Sequence, residues 1–341
     1  MAKMKFSQAI FDAYDTVMAQ HPEVYLLGVG LSDPKAVFDT IKGLYAKYGS
    51  DRVVDGPLAE QMLTGLAFAS ATLGLRPVLI HHRVDFLPLT LDQILNHAAK
   101  WSYMFGGQQC VPMVIRGVVG RGWGNGPQHT QSLHGLFAHI PGIKVVVPSS
   151  PQSAKGLTTA AILDNDPVIF IDHRWLHQDE GDVPEGIYIE EIGKAQILEP
   201  GTDATIVAIG PMVQEVLKVS QSYAKQGVSL EVIDLKTLRP IDFPTIFASV
   251  RKTGRIVVVD SDWPYGSVNS KIIAEVSKAC FESLRAPPRA VTWPDHPVPS
   301  SYGIEPEFYP MAKEIALEVS NLLQGSAVEI LLTDKQMLGP F

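Results

Sequence analysis

The chain has 341 residues, 46% hydrophobic and 19% charged, with a formal net charge of −8 and a pI near 5.7. That length exceeds what one hydrophobic core usually organises, so two domains are expected, and an acidic chain without a lysine or arginine cluster argues against a nucleic-acid surface. No apolar run reaches the ~18 residues of a membrane helix, residues 1–7 lack the apolar stretch of a signal peptide, and Cys110 and Cys280 are too few for a disulfide framework; the expected compartment is the cytoplasm.

In chain order, strand and helix signals alternate. Short apolar runs at 24–27, 77–80, 112–115, 143–147 and 167–171 predict buried parallel strands. Helix-like segments of suitable length fall at 7–19, 57–73, 91–104, 129–139 and 153–163. The turn-rich stretch from His177 to Gly186 opens a linker that Pro200-Gly201 closes. Beyond it, strands are expected at 204–209, 230–233 and 255–259, and helices at 212–225, 244–250, 267–284 and 310–323. The alternation predicts α/β architecture: two domains with mainly parallel sheets flanked by helices. The expected division is 1–190, 191–325 and a tail at 326–341.

Several stretches together resemble a known family. They include Arg52-Val53-Val54-Asp55-Gly56-Pro57-Leu58-Ala59-Glu60-Gln61, Asn96-His97-Ala98-Ala99-Lys100, and His139-Ile140-Pro141-Gly142-Ile143-Lys144. In the second half, Asp234-Leu235-Lys236-Thr237-Leu238-Arg239-Pro240 and Val250-Arg251-Lys252-Thr253-Gly254-Arg255 continue the match. They resemble the β subunit of the decarboxylating component of 2-oxo acid dehydrogenases (pyruvate dehydrogenase-like), within the transketolase superfamily. The resemblance implies a thiamine diphosphate pyrimidine-binding domain followed by a transketolase C-terminal domain.

The implied site follows the cofactor's chemistry. The aminopyrimidine of thiamine diphosphate acts as a base only as its imino tautomer, which needs a carboxyl group on the opposite ring nitrogen. Glu60 matches the family position for that carboxyl; read without the family, it is a first-turn acid capping a helix. Leu58 and Phe86 match positions that bound the pyrimidine, and an aromatic face fixes ring orientation. His129 matches the histidine that faces substrate, where an imidazole hydrogen-bonds a carboxylate or carbonyl and relays protons. The loop Gly120-Arg121-Gly122-Trp123-Gly124-Asn125-Gly126-Pro127 before it permits close backbone approach to a ligand.

Two features set the chain apart. No Gly-Asp-Gly run with a downstream Asn occurs in it, so Mg²⁺ and the diphosphate are expected on an α partner, in an α₂β₂ assembly that would serve a lipoyl acyltransferase. Before Phe86, the family's acidic and apolar residues give way to His81-His82-Arg83. His81 and Arg83 are therefore candidate contacts to an anionic or polyhydroxylated substrate. That departure keeps open a split transketolase-like enzyme passing a two-carbon unit to a sugar or other carbonyl acceptor. A non-catalytic scaffold subunit is the third reading. The resemblance also raises a K⁺ site at Ala161, Ile162, Asp164 and Asp166, although the two aspartates equally suit a helix-ending turn.

Overall fold

The computed structural model describes residues 1–122, 124–301 and 303–325; the expected tail at 326–341 lies outside the described residues. The chain divides into two compact units, Met1–Gly120 with Phe137–Ile192, and Arg121–Leu136 with the chain from Gly193 onward. Among the described residues no helix is long and apolar enough to cross a membrane.

In the first unit β1 (Ala2–Lys5) pairs antiparallel with β8 (Glu180–Val183), so part of the stretch expected to begin the linker is a strand. The remaining strands are β2 (Val24–Gly28), β3 (Val53–Asp55), β4 (Arg76–His81), β5 (Val114–Val119), β6 (Lys144–Val146) and β7 (Val168–His173). Within this unit they lie parallel in the order β6-β7-β5-β4-β2-β3. Every residue of β2, β5 and β7 is buried, the signature of strands covered on both faces. The helix Phe6–Gln20 presents Phe6, Ile10, Tyr14 and Val17 at helical spacing to Ala154, Leu157 and Ala161 of the helix Pro151–Leu163.

Motifs that flagged the family prove to be packing devices. Gly142 has φ +98, and a Cβ there would sit 1.9 Å from the carbonyl oxygen of Ala99. Lys100 Nζ donates to the carbonyl of Pro141 at 2.8 Å, so the Asn96–Lys100 and His139–Lys144 stretches lock together. Lys155, fully buried, pairs with Asp12 and donates to the Pro184 carbonyl, each at 2.6 Å.

In the second unit the strands are β9 (Gln196–Glu199), β10 (Ala204–Ala208), β11 (Leu230–Asp234), the short β12 (Thr237–Arg239), β13 (Ile256–Val259) and β14 (Arg289–Val291). Five form a sheet in the order β14-β13-β10-β11-β9, parallel except for β9. The helices Met212–Ala224 and Ala312–Leu323 bury Val216, Val219 and Tyr223 with Ile315, Val319 and Leu322 in its core. The helix expected at 129–139 shrinks to His134–Ala138, because residues 124–133 are spent as loop.

Candidate active site

In the first unit β2 leads to β3 on one side while β4 leads to β5 on the other, so the strand order reverses between β2 and β4. Open α/β sheets bind ligands outside the carboxyl ends of their strands at such a point. Gly28 at the end of β2 is in register with Ile80 of β4, and the loops leaving these strands carry Gly30 and His82-Arg83. Asp55 at the end of β3 ties the first loop down: its carboxylate accepts from the amides of Gly30 (2.7 Å) and Ser32 (3.1 Å) and from the Ser32 hydroxyl. Burial would raise the Asp55 pKa, but these hydrogen bonds outweigh it and hold the carboxyl below its ordinary range.

Glu60 is the first residue of the helix Glu60–Thr72, and its N-cap, Ala59, offers no side-chain cap. Among the described residues no hydrogen bond runs from a first-turn amide to the half-buried Glu60 carboxyl. The capping role is therefore not what the carboxyl performs, and it stands in the favourable field of the helix N-terminus. Leu58 is 78% and Met62 53% exposed, and Phe86 lies in the 3₁₀ stretch Val84–Thr90 with 36% of its surface open. A carboxyl beside exposed apolar side chains suits a flat heteroaromatic ring with one polar edge, and in this respect the residues fit the pyrimidine half of thiamine diphosphate.

The three residues before Phe86 do not behave as one lining. Strand β4 ends at His81, so strand alternation stops there. His81 is buried, its Nε2 has no hydrogen-bond partner, and burial pushes its pKa down to about 4, with His82 adding to the effect. It is a neutral interior imidazole, not the charged contact to an anionic substrate that the sequence suggested. His82 is exposed, and its ring lies 3.7 Å from where a Cβ on Gly30 would stand. Arg83 is half-buried, and its Nη1 finds no hydrogen-bond partner.

His129 belongs to the second unit, half-buried on the segment Arg121–Leu136. A turn at Gly126 (φ +70) presents it, closed by the His129 amide and the Thr130 hydroxyl donating to the Gly126 carbonyl at 3.3 and 2.6 Å. The segment is pinned at both ends. The Arg121 guanidinium stacks 3.8 Å from the centroid of Tyr309, and burial pulls its pKa down to about 9. Buried His134 meets Asp260 at 2.9 Å and Asp262 at 3.5 Å through Nε2, while Nδ1 lies 2.9 Å from the Ser132 hydroxyl. Burial would lower the pKa of this imidazole, yet the two carboxylates overcome that and raise it to about 9. Nothing in the sequence pattern pointed to His134 or its partners.

At the loop considered for K⁺, Ala161 and Ile162 are buried in the helix Pro151–Leu163. Arg76 Nη1 donates to the carbonyls of Ile162 (3.0 Å) and Asp164 (2.8 Å), and Nη2 to Asn165 Oδ1 (2.7 Å). Lys144 Nζ donates to both Asp164 oxygens at 2.8 Å and stands 3.1 Å from Asp166. The chain's own cations already meet these oxygens, so the set does not fit an added monovalent ion.

Comparison with known proteins places the fold and the family. Residues 2–178 match the transketolase pyrimidine-binding domain and residues 193–315 the transketolase C-terminal domain. The chain is 42% identical to the acetoin:2,6-dichlorophenolindophenol oxidoreductase subunit beta of Cupriavidus necator, covering 95% of this chain and 98% of that one. It is 38% identical to the pyruvate dehydrogenase E1 component subunit beta of Bacillus subtilis, over 95% and 100% of the respective chains. Among solved structures, the β4 tetramer of a split-gene transketolase superposes with a TM-score of 0.76 at 21% identity over 94% of this chain and 98% of that one, a likeness of fold. The chain belongs to the β-subunit family of the thiamine diphosphate-dependent 2-oxo acid dehydrogenases, within the transketolase superfamily.

Proposed function

We propose that the chain is the β half of a two-subunit thiamine diphosphate enzyme that oxidises a small pyruvate-like or acetoin-like donor and hands on its acyl unit. The observation that carries this reading is Glu60: a carboxyl at a helix start, uncapped by the backbone and flanked by exposed apolar side chains. When bound, the cofactor supplies a nucleophilic ring carbon that attacks a carbonyl. Glu60 holds a proton against the pyrimidine nitrogen and so sets the ring's tautomer. Leu58 and Phe86 bound the ring and keep water from its faces. His129 donates to an oxygen of the substrate, where hydrogen bonds to developing charge count most.

The Mg²⁺ and diphosphate ligands belong on an α partner, in an α₂β₂ assembly, with a lipoyl acyltransferase as acyl acceptor. The names of the relatives as β subunits support the partner. So do Leu58, Met62, Leu66 and Leu89, which leave 50–78% of their surfaces open on the first unit and call for cover. The thiols of Cys110 and Cys280 are both free, which suits a reducing compartment such as the cytoplasm.

The test is deuterium exchange at the thiazolium carbon in the co-expressed α–β complex. Glu60→Gln keeps size and hydrogen bonding but cannot exchange the proton, so exchange should slow by about 10²-fold or more. An unchanged rate would refute the assignment. Reduction of 2,6-dichlorophenolindophenol with pyruvate or acetoin then identifies the donor, and the isolated chain should bind the cofactor negligibly.

A further inference from the structure

Between β2 and β3 the backbone does something unusual. Ala36, Val37, Phe38 and Asp39 all have positive φ, from 37 to 65°, a left-handed turn without a single glycine. Such residues are strained and persist only where their surroundings over-determine them. Here Ala36 and Val37 are buried in the core, and the Asp39 amide donates to the Lys35 carbonyl at 2.9 Å. The Thr40 hydroxyl donates to the Val37 carbonyl and accepts from Arg116 Nη1, both at 2.8 Å.

The turn presents the ring of Phe38, and a cluster of basic side chains surrounds it. The guanidinium carbons of Arg83 and Arg174 lie 5.1 and 4.5 Å from its centroid, and the His82 ring centroid 5.9 Å. Burial and mutual repulsion lower the pKa of Arg174; burial lowers that of Arg83. Two guanidiniums share one ring, with Asp85 acting on Arg83 and Asp39 and Asp172 on Arg174; Arg83 Nη1 is nevertheless buried without a hydrogen-bond partner, and an anion there would complete the arrangement. It stands at the carboxyl end of β4, next to Gly30 and within the crevice where the strand order reverses.

We propose that Arg83 and Arg174, platformed on Phe38 with His82 beside them, form an oxyanion subsite that holds a carboxylate or phosphate of the substrate. The proposal rests on reading the crevice as the substrate side of the enzyme, and it assigns specificity to residues outside the cofactor motifs. A carboxylate there would mark an unphosphorylated acid; a phosphate would mark a sugar-phosphate-like acceptor.

The experiment titrates the α–β complex calorimetrically with inorganic phosphate and, separately, with pyruvate. At least one should bind, and Arg83→Met and Arg174→Met should each weaken it about ten- to hundredfold, the usual effect of losing a charge-assisted hydrogen bond. Preference for phosphate or for pyruvate tells the two sources apart. Should the variants fold poorly, labelling of the wild-type protein with an arginine-selective dicarbonyl replaces them, with Arg83 read by peptide mass spectrometry; the bound anion should protect it. Binding of neither anion, equal binding to both variants, or no protection of Arg83 overturns the proposal. Thiazolium exchange does not involve Arg83, so normal exchange with failed anion binding sinks the subsite alone.

Discussion

Replacing His134 with glutamine should remove a pH-dependent part of the second unit's stability. The imidazole titrates near 6.5 when unfolded and is raised to about 9 in the fold, where Asp260 and Asp262 confront it. At about 1.4 kcal/mol per unit, that difference is on the order of 3 kcal/mol. A raised folded value means the charged form is the stabilised one. Its contribution is complete below pH ~6.5 and is lost as pH rises through about 9. Asp262, raised to about 6 chiefly by burial, titrates below this window and would blur the measurement. Asp262→Asn should therefore be introduced into both backgrounds. Urea unfolding across the window should show the stability gap between Asp262→Asn and His134→Gln/Asp262→Asn shrinking as pH rises, by less than that amount because Asp262 supplies part of the raise and Asp260 alone is left to hold the charge. A gap that stays constant would refute the ion-pair reading and leave His134 as a neutral packing residue. Because His134 lies five residues after His129, the same substitution should raise the Michaelis constant of the complex more at neutral pH than near pH 9.

Three further outcomes are expected. Gly142→Ala should destabilise the first unit by at least ~1–3 kcal/mol, since its Cβ would collide with the Ala99 carbonyl; a thermal midpoint within a degree of wild type would contradict the packing described. Asp172→Asn breaks the buried bidentate pair with Arg116 (2.7 and 2.9 Å) and should cost about 3–5 kcal/mol by denaturant unfolding, a loss under 1 kcal/mol being incompatible with it. Exchanging K⁺ for tetramethylammonium at constant ionic strength should leave the melting temperature unchanged, because Arg76 and Lys144 already hold the Ile162–Asp166 oxygens; K⁺-specific stabilisation would overturn this.

What could be read in the sequence was whatever declares itself locally. Val24–Gly28 and Val168–His173 are continuous apolar runs, and burial on both faces is the only economical fate of such a run. The place of Glu60 at a helix start was legible because a glycine-proline turn stands just before it; its role toward a cofactor rests on the resemblance. The pairing of Ala2–Lys5 with Glu180–Val183 was not, since a short polar strand chooses a partner far along the chain by geometry alone. The same holds for Phe38: a left-handed turn through Ala, Val and Phe contradicts their local preference, and the Asp39–Lys35 backbone bond, Thr40, Arg116 and the core around them sustain it. His81 stands in sequence beside Arg83 and so reads as a second substrate contact, but as the last residue of β4 it is buried in the sheet.

The excursion of Arg121–Leu136 into the second unit bears on how such chains can be recombined. A boundary drawn at Ile192 looks like a clean joint between two cassettes, yet a fragment ending there would keep the His129 loop and lose Tyr309 and Asp260, which hold that loop in place. The reciprocal fragment would retain the anchors with nothing to hold. Fusion, splitting or shuffling of the halves must therefore carry both crossings together. A chimera made at the linker alone should yield two soluble-looking pieces and an unplaced histidine.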